Sequence, residues 1–328
     1  MEAYTPDYDN YNTYVFFGID SRADDDSWKT GDDDTGTQEG GPSSDVIMLI
    51  KVDEESGNAK VVSVYRDTML DISGEELELD KCNSAYRNTD EYGAINMLEK
   101  NLDTKISGYV TANFKTVADC IDSLGGIEVN VEREPLLNAF KDKGKDSIDI
   151  INKLIDEMNR AYNTDASHLT DEGLQTLSGI QAVAFSRLRY TEGADLRRAE
   201  RQREVMMKML EKLKSSDSTT QRKVMKQMYN DVNTDLEEGE LMNLFEALEN
   251  FDMQDTEGFP YYKKGKRIDG EYYLIPCDLT LNVTEFHKRM YGEEEYVTNG
   301  YINEVSKKIE EISGLTAEDA KEEWNDAY

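Results

Sequence analysis

Three apolar runs near the start of the chain constrain the fold most. They are Tyr14-Val-Phe-Phe-Gly-Ile19, Asp45-Val-Ile-Met-Leu-Ile-Lys-Val52 and Ala59 to Tyr65. Each is short, bounded by Gly, Asp or Ser, and rich in β-branched and aromatic residues, so each reads as a buried strand. Ser56-Gly57-Asn58 joins the last two as a hairpin. Helices then alternate with strands. Thr89 to Leu102 carries Ala94, Ile95, Leu98 and Leu102 on one helical face. Tyr109 to Phe114 is a strand, and Phe114 to Leu124 a helix that stops at Gly125-Gly126. Ile127 to Val131 alternates like a half-buried strand. Such alternation implies an α/β fold with a central mixed β-sheet flanked by helices.

The rest of the chain reads as mainly helical. Helices are expected at Leu136 to Phe140 and at Ile148 to Tyr162, and another from Thr170 through Leu177. Ser178 is placed to cap a further helix, Gly179 to Ala184. Phe185 to Arg189 is expected as a strand, followed by a turn at Gly193 and a helix reaching Leu213. Two helices near 221–232 and 238–250 follow, then a hairpin in Phe259 to Pro276 around Asp269-Gly270. Helices at Leu279 to Tyr291 and Tyr301 to Ile312 and a capping-box start at Thr316 complete the series. The expected organisation is a loose segment at 1–13, an α/β domain at 14–214, and a mainly helical C-terminal extension with a hairpin at 215–328, packed on the sheet.

Charge narrows the function classes. The 328 residues carry 37 Lys and Arg against 69 Asp and Glu, a net −32. That balance opposes general binding of nucleic acid or of an anionic membrane surface. No run of about 18 apolar residues is present, so nothing in the sequence spans a membrane, and no signal peptide is visible. Cys82, Cys120 and Cys277 form no close pair and no CxxC, which excludes a dense disulfide scaffold and a zinc ribbon. One disulfide with one free thiol and three reduced thiols both remain open. His168 and His287 are the two histidines and lie far apart, so structural roles are expected for them.

Against this acidity, Phe185 to Arg203 holds six arginines, at 187, 189, 197, 198, 201 and 203, with three carboxylates, a local balance of +3. A guanidinium is a permanent charge whose planar fork grips phosphate through paired hydrogen bonds. Arg187 and Arg189 are spaced as on one side of a strand, and Arg198 and Arg201 as on one face of a helix. The plainer explanation is a solvated helix face with surface ion pairs. The three N-terminal strands place further charges at their ends: Asp20, Asp45 and the Arg66-Asp67 pair. Two carboxylates can hold Mg²⁺ while a substrate phosphate completes the coordination shell, and an adjacent arginine neutralises phosphate oxygens. An Asp at a strand end is more often a turn residue, so convergence carries the reading. The Asp- and Gly-rich stretch from Ala23 to Ser44 reads as a long loop without the ligand spacing of a calcium hand.

An ordered set of segments then resembles the LytR–CpsA–Psr family of bacterial cell-wall enzymes. They are G-I-D-S-R (18–22), S-D-V-I-M-L-I (44–50), V-V-S-V-Y-R-D-T (61–68), K-C-N-S-A-Y (81–86), D-S-L-G-G-I-E-V-N-V (122–131), H-L-T-D-E-G-L-Q-T-L-S-G-I-Q-A-V-A-F-S-R-L-R (168–189) and D-L-R-R-A-E-R-Q (195–202). The resemblance implies an α-β-α catalytic domain outside the cytoplasmic membrane, anchored by a preceding helix. On this reading the sequence is the extracellular portion of an anchored protein. The implied reaction moves a glycopolymer (teichoic acid, capsule or another wall glycan) from a polyprenyl-pyrophosphate carrier to peptidoglycan as a phosphodiester. The implied partners are that lipid-linked glycan donor, the peptidoglycan acceptor and the membrane, with no nucleic acid.

The family roles carry over by position. Asp20 and Asp45 match the aspartates that hold Mg²⁺, the implied cofactor. Arg66, Arg187 and Arg189 match arginines that grip the pyrophosphate, and Arg198 and Arg201 match others around the head group. Asp67, Lys81 and Asp195 match polar positions lining the same pocket, and Arg22 completes the G-x-D-x-R pattern. Asp20, Asp67 and Asp195 are the candidate bases. One departure is Ser43, where the family usually has Arg two residues before the second metal aspartate. The carrier's lipid tail needs an apolar tunnel, for which the strands and the helix faces at 94–102, 114–124 and 180–185 are candidates, although most of those residues must be core. An extracellular location would permit a disulfide between Cys82 and Cys120. Two other functions use the same residues: a binding module without turnover, and hydrolysis of the lipid carrier's pyrophosphate.

Overall fold

The computed structural model describes residues 10–19, 43–74, 76–137, 145–189, 191–249 and 257–320. The chain divides into two compact units. The first takes the described residues up to Thr111 and again from 257 onward, and the second takes those from Ala112 to 249.

The apolar runs form the expected strands β1 (Tyr11–Ile19), β2 (Ser44–Asp53) and β3 (Ala59–Val64). β1 pairs antiparallel with β2, and β2 with β3. β4 (Met69–Asp71) and β5 (Leu79–Lys81) form a small antiparallel ladder, followed by the short helix α1 (Asn83–Asn88) and then α2 (Glu91–Leu102). β6 (Gly108–Asn113) leads into α3 (Phe114–Ser123). Much later, β10 (Glu257–Phe259) joins β3 in parallel. With the two-residue β9 (Asn233–Thr234) they form a six-stranded mixed sheet in the order β10-β3-β2-β1-β6-β9, flanked by helices. Phe17, Ile19, Ile47 and Leu49 are fully buried and form its core.

The pairing of β1 with β2 is interrupted at one point. Gly18 opposes Val46 but Ile19 opposes Ser44, so Asp45 is an extra residue on β2. Such a bulge re-aims side chains and terminates regular pairing. The strands approach closely here: a Cβ on Gly18 would lie 2.8 Å from the Val46 side chain, so only glycine fits unless Val46 moves.

The first unit ends with a hairpin, β11 (Lys263–Ile268) and β12 (Glu271–Pro276), and helices α9 (Leu279–Tyr291) and α10 (Gly300–Ser313). The capping box at Thr316 starts a 3-10 turn, Ala317–Asp319. The buried His287 is structural, donating or accepting at Glu293 (2.7 Å) and at the Leu102 carbonyl (2.9 Å), while its ring stacks on Tyr296. His168 pairs with Asp156 at the surface.

The second unit contains α3, β7 (Ile127–Val131), α4 (Ser147–Tyr162), β8 (Gly173–Leu177), α5 (Gly179–Ser186), α6 (Ala194–Ser215), α7 (Ser218–Asp231) and α8 (Glu238–Glu249). Ser178 caps α5 in a full capping box with Gln181, as expected. Every residue of α5 is buried. At its start the helix touches α3: a Cβ on Gly179 would lie 1.9 Å from the Ala118 carbonyl oxygen. Two expectations need correction. Residues 170–177 are not a helix; their end is the strand β8, paired antiparallel with β7, and Leu174 points into solvent. Phe185 to Arg189 is not a strand; Phe185 and Ser186 finish α5, Arg187 is its C-cap, and Leu188 and Arg189 are irregular. The helix expected at Leu136 to Phe140 falls mostly outside the described residues.

Cys82, Cys120 and Cys277 are free and buried. Burial pushes the Cys120 thiol up to about 12 and the Cys277 thiol to about 11, so neither is a thiolate nucleophile at neutral pH. Among the described residues, no helix is long and apolar enough to cross a membrane.

A buried polar group ties β4, α2 and α10 together within the first unit. Asp71, 1% exposed, accepts from Lys100 (3.0 Å), from the Tyr301 hydroxyl and from the backbone of Ser73 and Glu78 (2.9 Å each). Burial alone would raise its carboxyl, but these donors hold it below the ordinary value. A carboxyl depressed in the folded state contributes stability that is complete above about pH 4 and lost as pH falls through the folded value. Asp71→Asn is therefore expected to flatten the acid limb of a thermal-unfolding pH series, and Tyr301→Phe to cost about 1–2 kcal/mol near neutrality.

Candidate functional site

In the first unit the charged site residues gather on the turn that follows β3. Arg66 forms an ion pair with Asp45, the bulge residue of β2, and its Nε lies 3.4 Å from Asp67. All three side chains are largely buried, at 17%, 11% and 9% exposure. Partial desolvation strengthens such charge interactions and fixes the guanidinium between two carboxylates.

The backbone of this turn is held from several directions. The Tyr65 N–H donates to the Phe259 carbonyl (3.0 Å), and the Asn83 N–H to the Arg66 carbonyl (3.2 Å). The Leu274 N–H donates to the Asp67 carbonyl, and the Cys82 N–H to the Thr68 carbonyl (2.8 Å each). The Cys82 thiol adds weak contacts to the Tyr65 and Arg66 carbonyls (3.3 Å each). The K-C-N-S-A-Y segment thus acts largely through its backbone. Lys81 sits at the end of β5, where its amine meets Glu271 of the hairpin (3.0 Å) and lies 5.5 Å from the centre of the Tyr273 ring. Ser43 directly precedes β2 and is half-buried.

In the second unit the arginines have distinct surroundings. The Arg187 guanidinium lies 5.0 Å from the centre of the Phe114 ring. Arg189 is half-buried beside it in sequence, and Arg198 is 3% exposed. Arg197 pairs with Glu200 (2.9 Å) and approaches Glu132 (4.0 Å). Arg201 is 1% exposed and bonds Glu134 (2.5 Å), the Thr191 hydroxyl (3.0 Å) and the Leu188 carbonyl (3.2 Å). Burial lowers its affinity for the proton and Glu134 opposes that shift. Because Arg201 grips the carbonyl between Arg187 and Arg189, it fixes the segment that carries both. Gln202 and Arg203 are buried too, and neither Gln202 Nε2 nor Arg203 Nη1 meets an acceptor among the described residues.

Asp20 and Arg22 lie outside the described residues, as does the side chain of Asp195. Of the expected residues, the structure brings Asp45, Arg66 and Asp67 together in one unit, and Arg187, Arg189, Arg198 and Arg201 onto α6 and the segment before it in the other. Glu134, Phe114 and Glu271 were not singled out from sequence. Glu134 follows β7 in a charged stretch, and nothing local marks it as a partner for an arginine 67 positions away.

Comparison with known proteins decides the family. The family model described as the LytR_cpsA_psr family matches residues 3–289. The chain belongs to the LytR_cpsA_psr family. It is 27% identical over 254 residues to the polyisoprenyl-teichoic acid–peptidoglycan teichoic acid transferase TagU of Bacillus cereus, an alignment covering 75% of this chain and 72% of that one. It is also 26% identical over 244 residues to biofilm regulatory protein A of Streptococcus mutans, covering 71% and 54% respectively. Among solved structures, a transcriptional regulator from Enterococcus faecalis has the same fold (TM-score 0.63, 22% identity, 94% of this chain and 97% of that one). So does TagT with bound octaprenyl pyrophosphate lipid (TM-score 0.53, 18% identity, 94% and 92%). These likenesses show the α/β fold.

Arg201→Ala is expected to destabilise the protein by about 3–5 kcal/mol, because it strands Glu134 and frees the Leu188 carbonyl. A double-mutant cycle with Glu134→Gln in denaturant unfolding should return a coupling of about 1–3 kcal/mol.

Proposed function

We propose that this protein is a phosphotransferase that moves a teichoic acid or a related wall glycopolymer from a polyprenyl-pyrophosphate carrier to peptidoglycan, at the outer face of the cytoplasmic membrane. Membership of a family with curated teichoic acid transferases supports the reaction class. The single observation that carries the reading to this chain is the Asp45–Arg66–Asp67 group on its backbone-locked turn.

The chemistry follows from charge. The acceptor sugar hydroxyl attacks the phosphorus nearest the glycan. An O–P bond forms, the bond to the lipid-side phosphate breaks, and polyprenyl phosphate leaves with its electron pair. The hydroxyl proton passes to a carboxylate, for which Asp67 is the candidate with a described side chain. The leaving group is already anionic, so the protein's contribution is positioning and neutralisation. Within the first unit, Arg66 is assigned to phosphate oxygens of the donor. The orphaned donors of Gln202 and Arg203 suit an anionic ligand, since buried guanidinium and amide groups normally find acceptors.

Magnesium fits the donor chemistry, because the carboxylate of Asp45 is a hard oxygen ligand and Asp20 is the expected second one. When bound, the ion supplies positive charge to the phosphate oxygens and the leaving group.

The test is a turnover assay with a short-chain polyprenyl-pyrophosphate glycan, Mg²⁺ and peptidoglycan fragments, read by mass spectrometry. A phosphodiester-linked adduct is expected. Asp45→Ala and Arg66→Gln should each lower its formation by at least about a hundredfold. Glycan phosphate without adduct would replace transfer by hydrolysis, and full activity of Asp45→Ala would remove Asp45 from the metal site.

A further inference from the structure

The β11–β12 hairpin inverts the charge of the chain. Lys263, Lys264, Lys266 and Arg267 stand against Asp269 and Glu271, a balance of +2 over nine residues in a protein of −32. Lys266 and Arg267 are exposed. Among the described residues no carboxylate bridges either one. The Lys266 amine instead donates to the Ser313 carbonyl at the C-terminus of α10, and the Arg267 guanidinium donates to the Gly270 carbonyl (3.0 Å). Carbonyl contacts orient these cations and leave their charge in place. Lys264 does have a carboxylate nearby, Asp319 at 3.6 Å. Register sets Arg267 opposite the half-buried Tyr272 on one face of the hairpin, and Lys266 opposite Tyr273 on the other. A cation beside an aromatic ring suits a sugar phosphate, with charge for the anion and a flat apolar face for the ring of the sugar.

The hairpin is also continuous with the Arg66 turn. Leu274 of β12 donates to the Asp67 carbonyl and bridges Thr68, and Glu271 holds Lys81. Arg267, opposite Tyr272, lies two residues along the strand from Leu274, or about 7 Å. The net charge of the whole chain, −32, would otherwise repel an anionic chain leaving the turn.

We propose that this hairpin docks the phosphate-bearing repeats of the donor's glycan chain, beyond the pyrophosphate. This rests on the transferase reading and narrows its substrate to polymers that carry phosphate in their repeats. Long-range attraction of this kind raises encounter rates and falls with added salt.

The probe is an oligo(glycerol phosphate) of defined length, free of lipid and of pyrophosphate, titrated into the full chain and followed by backbone amide shifts at low and moderate salt. Shifts are expected at 263–273, and Lys266→Gln with Arg267→Gln should weaken binding about tenfold and reduce its salt dependence. Lys266→Gln also removes a cation from the end of α10, so Arg267→Gln alone, expected to cost about threefold, carries the test if the pair loses stability. Unchanged binding by these variants, or shifts centred elsewhere, would overturn the proposal. A parallel arm uses phosphatidylglycerol vesicles: variants that lose the vesicles yet keep the oligomer would assign the hairpin to the membrane. Because the probe needs no turnover, a failed transfer assay with intact oligomer binding would sink the enzymatic reading and leave the hairpin standing, and the converse result would do the opposite.

Discussion

The turn from Tyr65 to Thr68 depends on backbone hydrogen bonds more than on side chains. Four of its main-chain groups are satisfied by segments near 82, 259 and 274. An unpaired backbone group in such a setting would cost as much as a lost hydrogen bond, so the turn has few conformations available to it. That constraint sets the direction of the Arg66 side chain. The bulge at Asp45 then brings a carboxylate to meet it, and tight passage of Gly18 past Val46 accompanies that bulge. Charges fixed in this way need no reorganisation before they act on a ligand.

The second unit uses a different device. Its arginines sit around the end of a buried helix, and Arg201 holds the backbone between Arg187 and Arg189 while Glu134 balances its charge. Arginine thus serves in two ways within one short stretch: as fixed scaffolding at 201 and as a charge over an aromatic ring at 187. The family assignment and the local geometry meet here, since the segment ending S-R-L-R (186–189) carries Arg187 and D-L-R-R-A-E-R-Q (195–202) carries Arg201.

Much of the fold was legible from pattern. β7 and α9 have the bounds expected from sequence, and most other elements differ by a few residues, because long apolar runs and strong caps overrule weak propensities. The two misreadings share a cause. Thr170 is placed to cap a helix through Leu177, yet Leu174 is 70% exposed and the segment pairs with β7, a partner more than 40 residues away. Ser186-Arg-Leu-Arg189 alternates like a strand, but the preceding capping box and apolar run carry the helix through Ser186. Local periodicity cannot weigh a non-local pairing or the momentum of a helix already started. In the site, Arg66 and Arg187 were readable because cations are outnumbered in so acidic a chain, and Asp45 because it stands at a strand end beside an apolar run. Their supports, such as the Cys82 and Leu274 amides, were not, since any residue but proline offers an N–H.

The late return of the chain to the Arg66 turn has a consequence for biosynthesis. Phe259 and Leu274 complete hydrogen bonds to residues roughly 200 positions earlier, a separation that makes closure slow. A nascent chain that has exposed every motif up to Arg203 still lacks two of the clamps on its own turn. The rigidity of the turn therefore arrives only once Leu274 has been made, and a protein truncated before Phe259 would keep its family signature without it.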